Sequence, residues 1–224
     1  YYWPIAIGLS FLLPFIIGFY YGRPFGALLW GGFLRLTLVH HFTFFINSLC
    51  HYAGKRPFDS NTSARDSWWV AYLTFGEGFH NFHHKFQNDY RNGIRWYDFD
   101  PSKWMIKSLS FFKLTKDIRT VADYKILNAR FATIKNKLNF FLPRTPVKIK
   151  KKYQQKIDSL QNKANEAYKN WTKFEIDFKR IKRKGFRDKF HEESIYYKRK
   201  MLKIEYESIV NTFSVLLISL KSYI

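Results

Sequence analysis

Three histidines stand within five consecutive residues in the segment GEGFHNFHH. His80, His83 and His84 occupy positions i, i+3 and i+4, which lie on one face of a helix. Upstream, Asn47 and His51 are also four residues apart. Neutral imidazole nitrogens that converge in this way bind iron, zinc or copper. We therefore predict a metal site at this cluster, and the spacing alone leaves the choice between iron and zinc open.

The chain of 224 residues contains a single cysteine, Cys50. A disulfide-based scaffold needs more cysteines than this. Structural zinc sites of the finger type also depend on cysteine ligands. The cluster is therefore predicted to be a histidine-rich site of another kind, and Cys50 is interpreted as a small packing residue.

Two apolar stretches precede the cluster and must position it. Residues 1–22 carry no charged side chain and have tyrosines at both ends, joined by Trp3 at the first end. About 20 apolar residues span a bilayer core as a helix, and aromatic residues concentrate at its two interfaces. A second stretch, from Ala27 to Leu49, is interrupted by Arg35, His40 and His41. We predict two membrane-spanning helices, with the second leading into the polar site.

Positive charge is concentrated in the second half of the chain. Residues 115–224 hold 27 of the 38 Lys and Arg but 11 of the 17 Asp and Glu. Binding to nucleic acid would need a recognisable reading motif or stacking platform, and the sequence shows neither. Because positive charge marks the cytoplasmic side of membrane proteins, we predict a cytoplasmic tail beside anionic lipid. Docking of an acidic electron carrier is the alternative.

The tail has the periodicity of long helices. Apolar residues recur at alternating spacings of three and four, as in a coiled-coil seam. The first series comprises Ile157, Leu160, Ala164, Ala167, Trp171, Phe174, Phe178 and Ile181, and the second comprises Leu202, Tyr206, Ile209, Phe213, Leu216 and Leu220. Gly185 lies between them as a natural break. The pattern predicts a helical hairpin with Lys and Arg on its solvated faces.

The segment INSLCHYAGKRPF, followed by GEGFHNFHHKFQNDYRNGIRWYDFDPSKW, resembles the membrane fatty-acyl desaturases of the stearoyl-CoA, or delta-9, type, and bacterial members most closely. The resemblance covers roughly residues 1–115. It implies a di-iron centre of two iron ions, with His51, His80, His83 and His84 as ligands. Asn47 would contribute through water, and no other catalytic residue is implied.

Two earlier histidine boxes of this family have no counterpart here and would lie upstream of Tyr1. The chain is therefore expected to be the C-terminal part of a desaturase and to be inactive as a fragment. Glu77 precedes the ligands and is interpreted either as an acceptor for a ligand N–H, which is a usual way to orient such a histidine, or as an exposed loop carboxylate.

The predicted fold is all-α, with integral membrane helices and a cytosolic histidine-rich cap, followed by the basic hairpin. We divide the chain into a desaturase part, 1–115, a connecting segment, 116–152, and the hairpin, 153–224. The cap and the tail are expected on the cytoplasmic side, most simply of a bacterial inner membrane.

The resemblance implies O2-dependent insertion of a cis double bond into a saturated fatty-acyl thioester or acyl lipid. Breaking an unactivated C–H bond needs a metal-centred oxidant, because side-chain acids and bases cannot supply one. Electrons would come from a separate donor of the cytochrome b5 or ferredoxin type. A membrane di-iron hydroxylase and a non-catalytic membrane scaffold with a basic lipid-binding or partner-binding tail are the alternatives.

Overall fold

The computed structural model describes residues 2–183 and 189–223, and these residues form helices joined by loops. Within the described ranges there is no β-strand, and only isolated bridges pair Asp66 with Lys55 and with Phe79. The described part of the chain is therefore all-α, as the sequence predicts. Gly185, the predicted break in the tail, lies outside the described residues.

The first helix, α1, extends over Tyr2–Tyr20 and contains a π-helical turn at Gly8–Leu12. Its mean hydropathy is 1.8, and only 6% of it is buried. A helix that is apolar on all sides and largely exposed is stable only in an apolar solvent or against other apolar elements. Among the described residues, α1 alone has the length and composition of a membrane span.

The second helix, α2, covers residues 24–47 as Pro24–Ala27, a π-helical stretch at Leu28–Leu34, and Arg35–Asn47. It returns along α1, and the two helices are in close contact at Gly18, where a side chain would collide with Ala27. Contact through small residues is typical of helix pairs in membranes. The charged and polar residues of α2 keep its hydropathy below that of a span, so the second membrane crossing stays a prediction.

Four short helices form the cap that follows α2. They are α3 at Leu49–Tyr52, α4 at Trp68–Leu73, α5 at His80–Lys85 and α6 at Pro101–Phe111. Long loops join them, and the core beneath these loops centres on Phe58 and Phe82, whose rings meet edge to face at 5.3 Å between centroids. The cap thus has a small apolar core of its own, next to the histidine cluster.

Three longer helices form the C-terminal unit, namely α7 at Asp123–Phe141, α8 at Val147–Arg183 and α9 at Lys189–Lys221. Helix α9 packs against both α7 and α8. Most residues of the two predicted seams are buried in this core, including Ile157, Trp171, Tyr206 and Phe213. The sequence predicts 116–152 as a connecting segment, whereas the structure places there the third helix of the unit.

Helix α7 also joins this unit to the cap. Leu127 and Phe131 belong to the core of the three-helix unit. Ile126 and Ala129, on another side of α7, pack into the cap core that contains Phe82. Phe82 belongs to α5, the helix that carries the histidines. Helix α7, which lies in the basic half of the chain (residues 115–224), therefore packs against α5.

Candidate metal centre

Three of the predicted ligands converge on one point. The Nε2 atom of His80 lies 3.1 Å from Nε2 of His51 and 3.0 Å from Nε2 of His84. One ligand nitrogen from each of the three rings lies within 4.8 Å of the others. His80 and His84 come from the single turn of α5, and His51 comes from α3, at the cap end of the apolar helices.

The three rings differ in how far they are buried. His80 is buried, His51 is half-buried and His84 is exposed. Burial, followed by the neighbouring imidazoles of His84, His51 and His83, lowers the pKa of His80 to about 4. Partial burial, followed by the imidazoles of His83 and His51, lowers the pKa of His84. These shifts favour the neutral form of His80 and His84, which is the form that binds a metal ion.

These residues fit a metal ion. Two of the three nitrogen pairs are separated by 3.0 and 3.1 Å, which suits ligands that each stand about 2.0–2.1 Å from one ion. Three imidazole ligands without a thiolate suit iron, zinc or copper. His80 faces the other two rings through Nε2, and its buried Nδ1 has no hydrogen-bond partner in the described residues.

A serine that the sequence analysis did not single out orients His51. Its Nδ1 lies 2.8 Å from the hydroxyl oxygen of Ser63. A contact at the second ring nitrogen orients the ring, and a hydroxyl oxygen that accepts from Nδ1–H leaves Nε2 free to bind a metal ion. Ser63 lies in the loop between α3 and α4, twelve residues after His51, and no spacing rule connects the two.

Asn81 holds the loop that carries Ser63. Its side-chain oxygen accepts hydrogen bonds from the backbone N–H of Phe58 and Asp59, at 2.8 and 3.2 Å. Its amide nitrogen donates to the carbonyl oxygens of Asp59 and Ala64, at 2.8 and 2.9 Å. Asn81 is fully buried and adjoins His80 in sequence, so one side chain ties the loop of Ser63 to the histidine helix.

The start of α5 is fixed by Asp66. Its Oδ1 accepts hydrogen bonds from the backbone N–H of Asn81 at 2.7 Å and of Phe82 at 3.1 Å. These amides belong to the first turn of a helix and have no partner within it. The carboxylate thus acts as an N-terminal cap from a distant part of the chain.

The other predicted site residues lie around the cluster and outside it. The ring of His83 is stacked on that of His80 with 6.2 Å between centroids, but its nitrogens are not among those that converge. Asn47 is the last residue of α2, and its side chain is exposed. Glu77 accepts a hydrogen bond from the side chain of Asn92 at 2.8 Å, so the structure gives it a partner other than a histidine.

The contact between Asn92 and Glu77 belongs to a buried polar network that also includes Asp100 and Lys103. The fully buried Asp100 accepts hydrogen bonds from the backbone N–H of Asn92 and Gly93 through Oδ2, and from that of Lys103 through Oδ1. The buried Lys103 ammonium donates to the carbonyl oxygens of Gly93 and Arg95, at 2.8 Å each. The network holds the segment after the histidines against the glycine-rich turn before them.

Residues 1–110 match the family model described as "Fatty acid desaturase". Over this segment, which is just under half of the 224 residues, the chain is similar to the fatty acid desaturase family. The converging residues His51, His80 and His84 all lie inside this desaturase segment, whereas the three-helix unit lies beyond it. Desaturases of this family are membrane-associated, which agrees with the exposed apolar helix α1.

Individual desaturases resemble the chain over about half of its length. Acyl-CoA desaturase 1 of Saccharomyces cerevisiae is 41% identical over 131 residues, which are 58% of this chain and 26% of that protein. The sn-1 stearoyl-lipid 9-desaturase of Synechocystis is 43% identical over 124 residues, 55% of this chain and 36% of that protein. Delta-9 acyl-lipid desaturase 1 of Arabidopsis thaliana is 35% identical over 115 residues, which are 51% of this chain and 38% of that protein. The chain therefore spans well under half of the length of these relatives.

Proposed function

We propose that the full-length protein is a fatty-acyl desaturase that inserts a cis double bond, at the delta-9 position, into a saturated acyl-CoA or acyl lipid. The observation that carries this proposal is the convergence of His51, His80 and His84 within a segment of the desaturase family. Relatives named as acyl-CoA and as stearoyl-lipid 9-desaturases support the substrate class.

The centre would hold two iron ions, and this chain would contribute His51, His80, His83 and His84, with Asn47 acting through water. When bound, the iron ions would supply the O2-dependent oxidation that acid–base chemistry cannot provide. The remaining ligands would come from residues outside this segment, so we expect no desaturation by the 224 residues alone.

The residues of this chain would prepare and orient the site. Burial and neighbouring imidazoles lower the pKa of His80 and of His84, which favours the neutral rings whose lone pairs can bind a metal ion. Ser63 would hold Nε2 of His51 toward the cluster. Asn81 and Asp66 would fix the helix from which His80 and His84 project, which is the kind of support that keeps ligands in place.

Orientation and partners follow from the charge of the chain. The surplus of Lys and Arg after residue 114 favours a cytoplasmic cap and tail, beside anionic lipid. Electrons would come from a separate protein of the cytochrome b5 or ferredoxin type, whose acidic surface would be attracted by the same charge.

The proposal is tested by expressing the full-length protein in cells that lack their own desaturase. His80→Ala should abolish the unsaturated product, measured by gas chromatography of cellular fatty acids, and should lower the iron content of the purified protein. His41→Ala is the matched control, because this exposed histidine of α2 lies outside the cluster.

The readouts of this experiment also separate the alternatives. Hydroxylated acyl chains instead of double bonds would identify a membrane di-iron hydroxylase. Purified protein without iron, and cells without either product, would favour a scaffold whose basic tail is the functional part. Unchanged unsaturated product in His80→Ala would contradict the ligand assignment.

A further inference from the structure

The cap exposes large apolar side chains on two of its helices. On α4, Trp68 is 70% exposed. On α6, Met105 is 63% exposed and Phe111 is 84% exposed, and the neighbouring Phe112 is exposed as well. Soluble surfaces rarely present large contiguous apolar patches, and where they do, the patch marks a protein or membrane contact. These residues are not part of the metal cluster, so the proposed chemistry does not account for their exposure.

The exposed residues of α4 and α6 belong to one continuous surface. The rings of Trp68 and Tyr72 meet at 6.3 Å between centroids. Tyr72 stacks on Phe99 at 4.4 Å, and Phe99 meets Trp104 edge to face at 5.7 Å. We call these four residues the aromatic strip. It runs from α4 to the start of α6 without a break.

Helix α6 is amphipathic, with an exposed apolar face and an opposite side that packs against the cap. Its positions 104, 105, 108 and 111, with Phe112 just after its end, form one exposed arc in which only Ser108 is polar. The opposite side faces the cap, where the ammonium of Lys103 is buried among backbone carbonyls. Lys107 lies at the edge of the arc, and Lys113 follows the helix. A short apolar face flanked by lysines is typical of helices that lie in a bilayer interface.

The aromatic strip begins next to the membrane helices. Helix α4, which carries Trp68 and Tyr72, packs against the last part of α2. Since α2 returns along the exposed apolar helix α1, this end of the cap stands where the apolar pair ends. Tryptophan and tyrosine prefer that depth of a bilayer, because one end of each ring system is apolar and the other is polar.

We infer that α4 and α6 form a second membrane contact of this protein, with the aromatic strip and the exposed arc of α6 inserted among phospholipids at the boundary between headgroups and acyl chains. The inference rests on α1 spanning the bilayer and not on the proposed desaturase activity. Phospholipid is favoured over a protein partner because the surface continues from the apolar helices and has lysines at its edges. The contact would hold the cap down on the membrane beside the metal cluster.

Spin labels test this contact directly. These 224 residues contain one cysteine, the buried Cys50, so Cys50→Ala together with replacement of any cysteine outside them gives a background for single labels. Met105→Cys and Phe111→Cys would be labelled with a nitroxide in full-length protein reconstituted into phosphatidylcholine vesicles. Their accessibility to oxygen, which dissolves in lipid, should exceed their accessibility to a water-soluble nickel complex by several-fold. Phe19→Cys in α1 is the lipid-exposed reference, and Asn165→Cys, exposed in the three-helix unit, is the reference for water.

Two results would overturn the inference. Labels at Met105 and Phe111 that behave like the label at Asn165 would show a surface in water. Labels that neither oxygen nor nickel reaches would show a surface covered by protein. In both cases the fatty-acid products of the full-length protein are measured separately, so failure here is distinguishable from failure of the proposed function.

A second measurement avoids cysteine substitution altogether. Brominated phosphatidylcholine quenches tryptophan that lies in the bilayer. The variant with Trp68→Phe and Trp104→Phe should lose part of the quenching seen in the natural sequence. Trp171→Phe is the matched control, because Trp171 is buried in the three-helix core, and its removal should increase the quenched fraction. Quenching that is unchanged in the double variant would contradict the inference.

Discussion

At the scale of single residues, the direction of the His51 ring depends on one hydroxyl group. Ser63 contacts Nδ1 of His51 at 2.8 Å and leaves Nε2 facing the cluster. Ser63→Ala should weaken the binding of Co²⁺ by about tenfold, since loss of such a partner costs about 10–100-fold in metal affinity. Titration followed by visible absorption would measure it.

The control for this variant comes from the same loop. The hydroxyl of Ser60 lies 3.5 Å from the side-chain amide of Asn136 and does not contact a histidine. Ser60→Ala should therefore bind Co²⁺ as the natural sequence does, and Ser63→Thr should retain most of the affinity. Equal affinity in Ser63→Ala and Ser60→Ala would show that the hydroxyl does not orient the ring.

A second residue-scale feature is the turn at Gly76, which has a φ of +104°. A Cβ atom there would stand 2.8 Å from Oδ1 of Asp100, which is buried and occupied by hydrogen bonds. Gly76→Ala should lower the free energy of unfolding by about 1–3 kcal/mol from backbone strain, and contact with Asp100 adds to this. Thermal unfolding in detergent would measure the change. Gly8→Ala, in open space on α1, should not destabilise the protein, and comparable losses in the two variants would contradict the explanation.

At the scale of elements, the short helix α5 depends on a cap supplied by Asp66. A helix of six residues is not stable by itself, and two of its first amides are held by this carboxylate. Asp66→Ala should cost about 1–2 kcal/mol, and the amides of Asn81 and Phe82 should exchange with deuterium correspondingly faster. Asp66→Asn keeps an acceptor oxygen and should restore protection. Exchange that is as slow in Asp66→Ala as in Asp158→Ala, an exposed control in α8, would rule out this role.

Sequence periodicity predicted the helix of the histidines and the seams of α8 and α9, because each has one repeating face. It predicted convergence of all three histidines of α5, yet only His80 and His84 converge with His51. Spacings of three and four place residues on opposite flanks of a face, and only the surrounding loops decide which flank is used. Ser63 and Asp66 act through loop closure, which no local pattern encodes.

Helix α7 shows another limit of periodicity. Its apolar residues serve two cores, with Leu127 and Phe131 in the three-helix unit and Ile126 and Ala129 in the cap. A helix buried on two sides has no single apolar stripe. This is why residues 116–152 read as a connecting segment, although 19 of them form a regular helix.

At the scale of the whole molecule, the basic half is physically coupled to the candidate metal centre. Helix α7 lies outside the segment matched by the desaturase family, and its Ile126 packs into the core that contains Phe82 of the histidine helix. Lys137 of α7 also donates to the carbonyl oxygen of Arg56 at 3.2 Å, in the loop that leads to Ser63. The C-terminal unit therefore packs against the cap and supports it, and is not a separate tail.

This coupling predicts different effects for two similar core substitutions. Ile126→Ala should cost about 2–4 kcal/mol, as deletion of a buried aliphatic side chain does, and should increase deuterium exchange at the amides of α5 and weaken Co²⁺ binding. Leu216→Ala removes a comparable side chain from the three-helix core, away from the cap. It should destabilise α8 and α9 while leaving exchange in α5 close to that of the natural sequence. The opposite pattern, with α5 unaffected by Ile126→Ala, would mean that the histidine helix keeps its position without the basic half.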